Sequence, residues 1–246
     1  MTKPKIISLV GLTASGKSSL GILLAQKYNG EIVSCDSRQV YRGLDIGTAK
    51  VTPAEQSLVP HHLLDIVDPG EHFDVFAYQQ RAYAAIDDIL ARGKLPILVG
   101  GTGLYSRSVV EGYNFSGGVT PPAPPAVKYN VLQIALMPSQ EYIRPLVEKR
   151  IDARLEMGML DETRELLANG VPRDWLRALG LEYYWNTEYI EGNVTLDEYK
   201  RQLATKSMQY AKRQRTWFKR EKNTHFLTNP KTFQDEAIKL ISLFLT

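Results

Sequence analysis

The chain of 246 residues predicts an α/β fold, a parallel sheet flanked by helices with a mainly helical, basic C-terminal part. Three observations predict it. Short runs rich in Ile, Val and Leu recur along the chain, longer stretches with helix-like spacing lie between them, and a Gly-rich turn joins the first run to the first such stretch. Near-continuous apolar strands separated by helices are the pattern of a sheet covered on both faces.

The first predicted strand covers 5–10, and a helix follows over 17–28. A second strand, 31–35, ends at Cys35. Helical spacing resumes over 75–92, where Phe76, Tyr83 and Ile86 read as core. Strands are predicted at 95–99 and 129–136, a long helix at 140–169, and a further strand at 224–228. The rhythm breaks at 116–125, where two glycines and four prolines fall within ten residues, so neither a helix nor a central strand fits. Residues 117–127 therefore read as a linker between core segments 1–116 and 128–246.

With 43% hydrophobic and 23% charged residues, the composition is that of an ordinary globular protein. A net charge of +3 is too small to argue for a polyanionic partner, so the distribution of charge has to carry that question. Cys35 is the one cysteine, which excludes a disulfide framework or Cys-rich zinc site and fits a reducing compartment. His61 and His62 have no second His or Cys cluster at ligand spacing, so structural or substrate-channel roles are expected of them. No apolar run is long enough for a membrane span. The stretch 6–12 contains Ser8 and Gly11 and leads into a phosphate-binding motif, unlike a leader peptide. The expectation is a cytoplasmic monomer with no membrane partner.

Gly11, Leu12, Thr13, Ala14, Ser15, Gly16, Lys17 and Ser18 match G-x-x-x-x-G-K-[ST] at every fixed position, between a predicted strand and helix. In that P-loop context the backbone N–H groups wrap a phosphate chain at a helix N-terminus. Lys17 reaches the terminal phosphate and Ser18 holds Mg²⁺. The sheet is thus expected to be P-loop NTPase-like. The motif names a diphosphate or triphosphate ligand but no reaction. Ligands of such sheets bind at the carboxyl ends of the strands. Asp36, just past the second strand, is placed there as a general base, or else caps the next turn with Ser37. A third strand ends in Gly100-Gly-Thr-Gly-Leu-Tyr105, where Thr102 offers a hydroxyl to a base or phosphate.

These motifs resemble the tRNA dimethylallyltransferase family as a set. The resemblance rests on the P-loop, Asp36-Ser-Arg-Gln-Val-Tyr-Arg-Gly-Leu-Asp-Ile-Gly-Thr-Ala-Lys50, His61-His-Leu-Leu-Asp65, Gly100-Gly-Thr-Gly-Leu-Tyr105 and Tyr210-Ala-Lys-Arg-Gln-Arg-Thr-Trp-Phe218, in that order. It implies that the P-loop residues Gly11 to Ser18 hold the diphosphate of dimethylallyl diphosphate, with Mg²⁺ assisting. It implies that Asp36 accepts the proton from N6 of the adenosine just 3′ of the anticodon, and that Thr102 contacts the same flipped base. Ser37, Arg38 and Gln39 then help hold the tRNA anticodon stem-loop. The segment Leu146-Val-Glu-Lys-Arg-Ile-Asp-Ala-Arg154 resembles the family's Arg-rich helix, with Arg154 first and Arg150 second as diphosphate ligands. An exposed, paired helix face remains the other reading of those arginines.

Between 200 and 222, nine Lys or Arg residues face one acid, Glu221. Leu203, Tyr210 and Trp217 recur every seven residues, as do Lys206, Arg213 and Arg220. Lys212, Arg213 and Arg215 are the tRNA contacts expected of this stripe, against the blander reading of a solvated cationic face. The chain departs from the family in the middle, where the linker at 117–127 stands in place of a helical tRNA-embracing insertion. Leu12, Met208 and Gly180-Leu-Glu-Tyr183 are smaller departures. The alternatives are a P-loop kinase of small molecules or nucleotides, and an RNA-binding module without turnover.

Overall fold

The computed structural model describes residues 3–113 and 127–246. Almost the whole predicted linker lies outside the described residues. The strands are β1 (Lys5–Gly11), β2 (Gly30–Ser34), β3 (His61–His62), β4 (Leu95–Val99), β5 (Asn130–Leu136) and β6 (Thr224–Leu227). They form one six-stranded sheet in the order β3-β2-β4-β1-β5-β6, with every pairing parallel. The helices are α1 (Lys17–Lys27), α2 (Pro53–Leu58), α3 (Val75–Ala91), α4 (Gly103–Val110), α5 (Gln140–Glu156), α6 (Met159–Ala168), α7 (Arg173–Leu179), α8 (Leu181–Ile190), α9 (Leu196–Phe218) and α10 (Phe233–Leu245).

The period of two along β1 divides its side chains between two cores. Ile6 and Val10 pack with Tyr78 and Ile86 of α3 and Phe218 of α9. Ile7 and Leu9 pack on the other side, with Leu24 of α1 and Ile241 of α10. A third cluster joins Val40 and Leu44 to Leu166, Leu176 and Tyr183, so helices α6–α8 support the loop that follows β2. The carboxyl ends of β2, β4 and β1 lie side by side, and their loops form the crevice.

Helices α2, α4 and α10 were not predicted, and two further elements differ from the sequence reading. The predicted helix 140–169 is broken: Gly158 takes φ +94° between α5 and α6, a conformation that ends one helix and redirects the next. The two-residue β3, parallel to β2, went unpredicted because His61–His62 is too short and polar to carry an alternation signal.

Candidate active site

The phosphate loop is held by contacts remote in sequence. Gly11 sits at φ +139°, and a Cβ there would lie 2.3 Å from the Leu136 carbonyl oxygen, so only glycine fits. Ala14 takes φ +57°, and Gly16 caps α1 in the left-handed region with no side-chain hydrogen bond. Within the loop the amides of Leu12, Thr13 and Ser15 are bonded to the Leu136 carbonyl, Gln214 and the Leu12 carbonyl, which leaves those of Ala14, Gly16 and Lys17 for a ligand at the positive end of α1. Beside it, Arg150 of α5 donates to the Thr13 hydroxyl at 3.3 Å and makes no ion pair among the described residues. Burial, then the nearby Arg154 charge, pulls Arg150 down to about 10. Lys17 donates to the Leu12 carbonyl and is lowered to about 8, first by burial and then by Arg150. Two mutually repelling cations and the amides of Ala14, Gly16 and Lys17 make a site that favours an anion.

The other two strand ends are stapled to this loop. Ser37 N–H donates to the Thr102 hydroxyl at 3.0 Å, and Thr102 N–H donates to the Cys35 carbonyl at 3.1 Å. Asp36 Oδ1 accepts from Arg38 N–H at 2.9 Å. The turn-capping role is therefore real, and it fixes the carboxylate while Oδ2 has no hydrogen-bond partner among the described residues. Gln214, buried on α9, accepts from Thr13 N–H at 2.8 Å and donates to the Gly101 carbonyl at 2.9 Å. A Cβ on Gly101 would sit 2.4 Å from that amide nitrogen.

Three voids with shared walls cross this region. A chamber of about 730 Å³ has the phosphate loop, Ser18 included, on one side and Ile46, Val51, Leu146 and Met157 among its apolar walls. Arg150 also lines a narrow neck of about 60 Å³ with Thr13, Asp36 and Tyr210. The neck shares Arg38, Leu181 and Tyr210 with a groove of about 710 Å³ that holds Lys206 and Arg213. A chamber walled by the phosphate loop, a neck with a carboxylate and a basic groove follow one another.

A sequence model of the family described as IPP transferase matches residues 39–128 and 118–221. This chain belongs to that family. A relative from Roseiflexus sp., named tRNA dimethylallyltransferase, is 39% identical over 289 aligned positions, covering 94% of each chain. Another of that name from Streptococcus equi subsp. zooepidemicus is 36% identical, covering 97% of this chain and 96% of its own. The crystal structure of a tRNA isopentenylpyrophosphate transferase from Bacillus halodurans superposes with TM-score 0.88 at 33% identity, covering 99% of this chain and 96% of that one. The 289-position alignment exceeds the 246 residues of this chain, so the Roseiflexus relative carries residues absent here. The two stretches matched by the family model meet at 118–128, on the Gly/Pro-rich segment.

Within this IPP transferase frame the expected residues do not all sit alike. Arg154, expected to be the first diphosphate ligand, is 5% exposed and spends its guanidinium on the Gly47 carbonyl at 2.7 Å and Glu182 at 2.9 Å. Arg150 is the arginine without an ion pair among the described residues, and both line the chamber. Gln39 donates to the Thr48 and Ala49 carbonyls and shapes its own loop. Arg215 donates to the Pro138 carbonyl and ties α9 to the end of β5. Arg38 and Arg213 line the groove, while Lys212 is exposed one position round the helix. His62 binds Glu31 at 2.7 Å and His61 the Val59 carbonyl at 2.9 Å, both structural contacts.

Three further residues were not singled out from the sequence. Glu162 accepts from the backbone N–H groups of Asp45, Ile46 and Gly47 at 2.9, 2.5 and 3.0 Å, and from the Tyr183 hydroxyl at 2.8 Å. It holds one wall of the chamber in place. Glu182 pairs with Arg154 at the point where Gly180-Leu-Glu-Tyr183 departs from the family pattern. Gln214 lay hidden within the basic run, and only its place between two repeating apolar positions hinted that it turns inward.

Proposed function

We propose that this chain transfers a dimethylallyl group from dimethylallyl diphosphate to N6 of the adenosine 3′-adjacent to the anticodon in tRNA, releasing diphosphate. The observation that carries the reading is the order of the voids: an anion-binding chamber with apolar walls, a neck holding Asp36, and a basic groove. The names of the relatives point to the same reaction. Donor and acceptor then approach from opposite sides and meet at the carboxylate.

In this reading the loop amides, Lys17 and Arg150 bind the diphosphate, and the chamber's apolar walls take the five-carbon tail. The N6 lone pair attacks the allylic carbon, the carbon–oxygen bond breaks, and the electron pair leaves with diphosphate. Charge grows on the leaving oxygens, where fixed donors stabilise it without reorganising. Asp36 takes the N6 proton; such assistance contributes about 10²–10⁴ in rate. Thr102 positions the base through its staple to Ser37, and Arg154 acts through the chamber wall. The adenine must leave its stack to enter the neck.

Ser18, exposed on the chamber at the start of α1, fits a Mg²⁺ ion carried mainly by diphosphate and water. No cluster of three or more His, Cys, Asp or Glu side chains suited to a metal occurs among the described residues. Bound there, Mg²⁺ would neutralise charge on the leaving group. We place the protein in the cytoplasm as a monomer, beside its tRNA substrate. No helix among the described residues is long and apolar enough to cross a membrane. The missing family insertion belongs at 117–127.

The test is transfer of radiolabelled dimethylallyl diphosphate to unmodified tRNA with Mg²⁺, alongside labelled ATP. Label on the adenosine beside the anticodon supports the reading, and Asp36→Asn should slow it by about 10²–10⁴ at saturating substrates. Phosphoryl transfer from ATP would make the chain a kinase instead. RNA binding without transfer would reduce it to a binding module.

A further inference from the structure

The groove beyond the neck has a feature that acceptance of one adenine does not require. Tyr184 of α8 is 38% exposed there, although it neighbours the buried Tyr183. Its ring stands at right angles to Trp185, with centroids 5.1 Å apart and planes at 78°, and presents an aromatic surface on the groove wall. Arg38, Lys206 and Arg213 line the same groove, and none of its described lining residues is acidic. None of these three cations forms an ion pair among the described residues, whereas Lys200 and Arg201 on the same α9 are paired with Asp152 and Glu198. Arg213 instead lies over the Tyr210 ring, 5.7 Å from its centroid.

An exposed aromatic face ringed by unpaired cations is the arrangement that binds single-stranded nucleic acid: bases stack, and phosphates meet the charges. A merely solvated cationic face needs no such aromatic surface. Arg38, Leu181 and Tyr210 wall both this groove and the neck with Asp36, so its occupant lies directly beside the acceptor.

We infer that Tyr184, Arg38, Lys206 and Arg213 form a second nucleotide subsite, which takes the unpaired nucleotide adjoining the acceptor adenosine, with its base on Tyr184 and its phosphate among the cations. This rests on the tRNA-modifying reading above. Recognition through a π-face tolerates any base, so the subsite sets loop conformation and affinity more than sequence.

The experiment is a binding cycle read by anisotropy on a fluorescent anticodon stem-loop. Wild type, Tyr184→Ala and Tyr184→Phe are each titrated with RNAs carrying an abasic nucleotide 5′ or 3′ of the acceptor. Wild type should lose about 5- to 150-fold in affinity at one of the two positions, the range for one stacked base. Tyr184→Ala should start weaker by a similar factor and be indifferent to that same abasic change, while Tyr184→Phe follows wild type. Misfolding of Tyr184→Ala would not produce coupling confined to one position, and matching thermal unfolding curves check it. No coupling at either position overturns the subsite. Equal competition by poly-glutamate also overturns it, since the groove would then be a site for acidic chains. Because binding is read without transfer, failure of the subsite and failure of the transferase reading give different results.

Discussion

Lys17 gives the most exacting test of the donor site. Its ammonium is lowered to about 8 by burial and by Arg150, so the free protein loses this charge well before an ordinary lysine would. A bound diphosphate supplies the missing counter-charge and restores it. The bound state therefore holds more protons than the free state above pH 8, and donor binding must take up protons and weaken as pH rises. With a free pKa of about 8 and a bound value restored to that of an ordinary lysine, about 10.4, uptake should be about 0.1 proton at pH 7 and about 0.9 at pH 9. Affinity should fall about tenfold over that interval, or ~1.4 kcal/mol. Arg150, at about 10, is still largely charged at pH 9. The ligand's own last phosphate ionisation, near 6, is complete well below that pH. Titration calorimetry of dimethylallyl diphosphate in buffers of different ionisation enthalpy measures the uptake directly. Uptake that stays flat from pH 7 to 9, or that survives in Lys17→Met, would refute the argument.

Other expectations follow from particular contacts. Arg154→Ala leaves Glu182 buried without its partner and should destabilise the fold by about 3–5 kcal/mol in urea unfolding, with much recovered by also replacing Glu182 with Leu. Arg150→Ala should leave the unfolding midpoint near wild type and raise the donor KM, because that guanidinium makes no ion pair among the described residues. Gln214→Leu strands Thr13 N–H, costing about 1–3 kcal/mol, leaves the Gly101 carbonyl only the Tyr210 hydroxyl, and should weaken donor binding as the phosphate loop loosens. Glu31 is held far below its ordinary 4.5 by Arg92 first, against burial, and then by Lys94 and His62. A depressed folded pKa contributes stability that is present above pH 4.5 and lost as pH falls below it. Acid unfolding of Glu31→Gln should accordingly begin from lower stability and show a shallower loss between pH 4.5 and 2.

Signals that act over a few residues were legible in the sequence alone. The Ile, Val and Leu runs predicted four of the strands, β1, β2, β4 and β5, because burial on both faces demands apolar residues at consecutive positions. The spacing of Gly11, Gly16, Lys17 and Ser18 predicted the phosphate loop because its geometry is set by the local backbone. Asp36 and Thr102 could be assigned to one crevice because parallel strands present their carboxyl ends together. The tertiary structure alone decided which groups are free to act. Arg150 and Arg154 are chemically alike and four residues apart, and the difference between them is Glu182, which arrives from α8. Gln214 looks like one polar residue in a basic run until α9 brings it against Thr13, 201 positions away. Such partners meet only when packing brings distant segments together, and neither spacing nor propensity along the chain encodes that meeting.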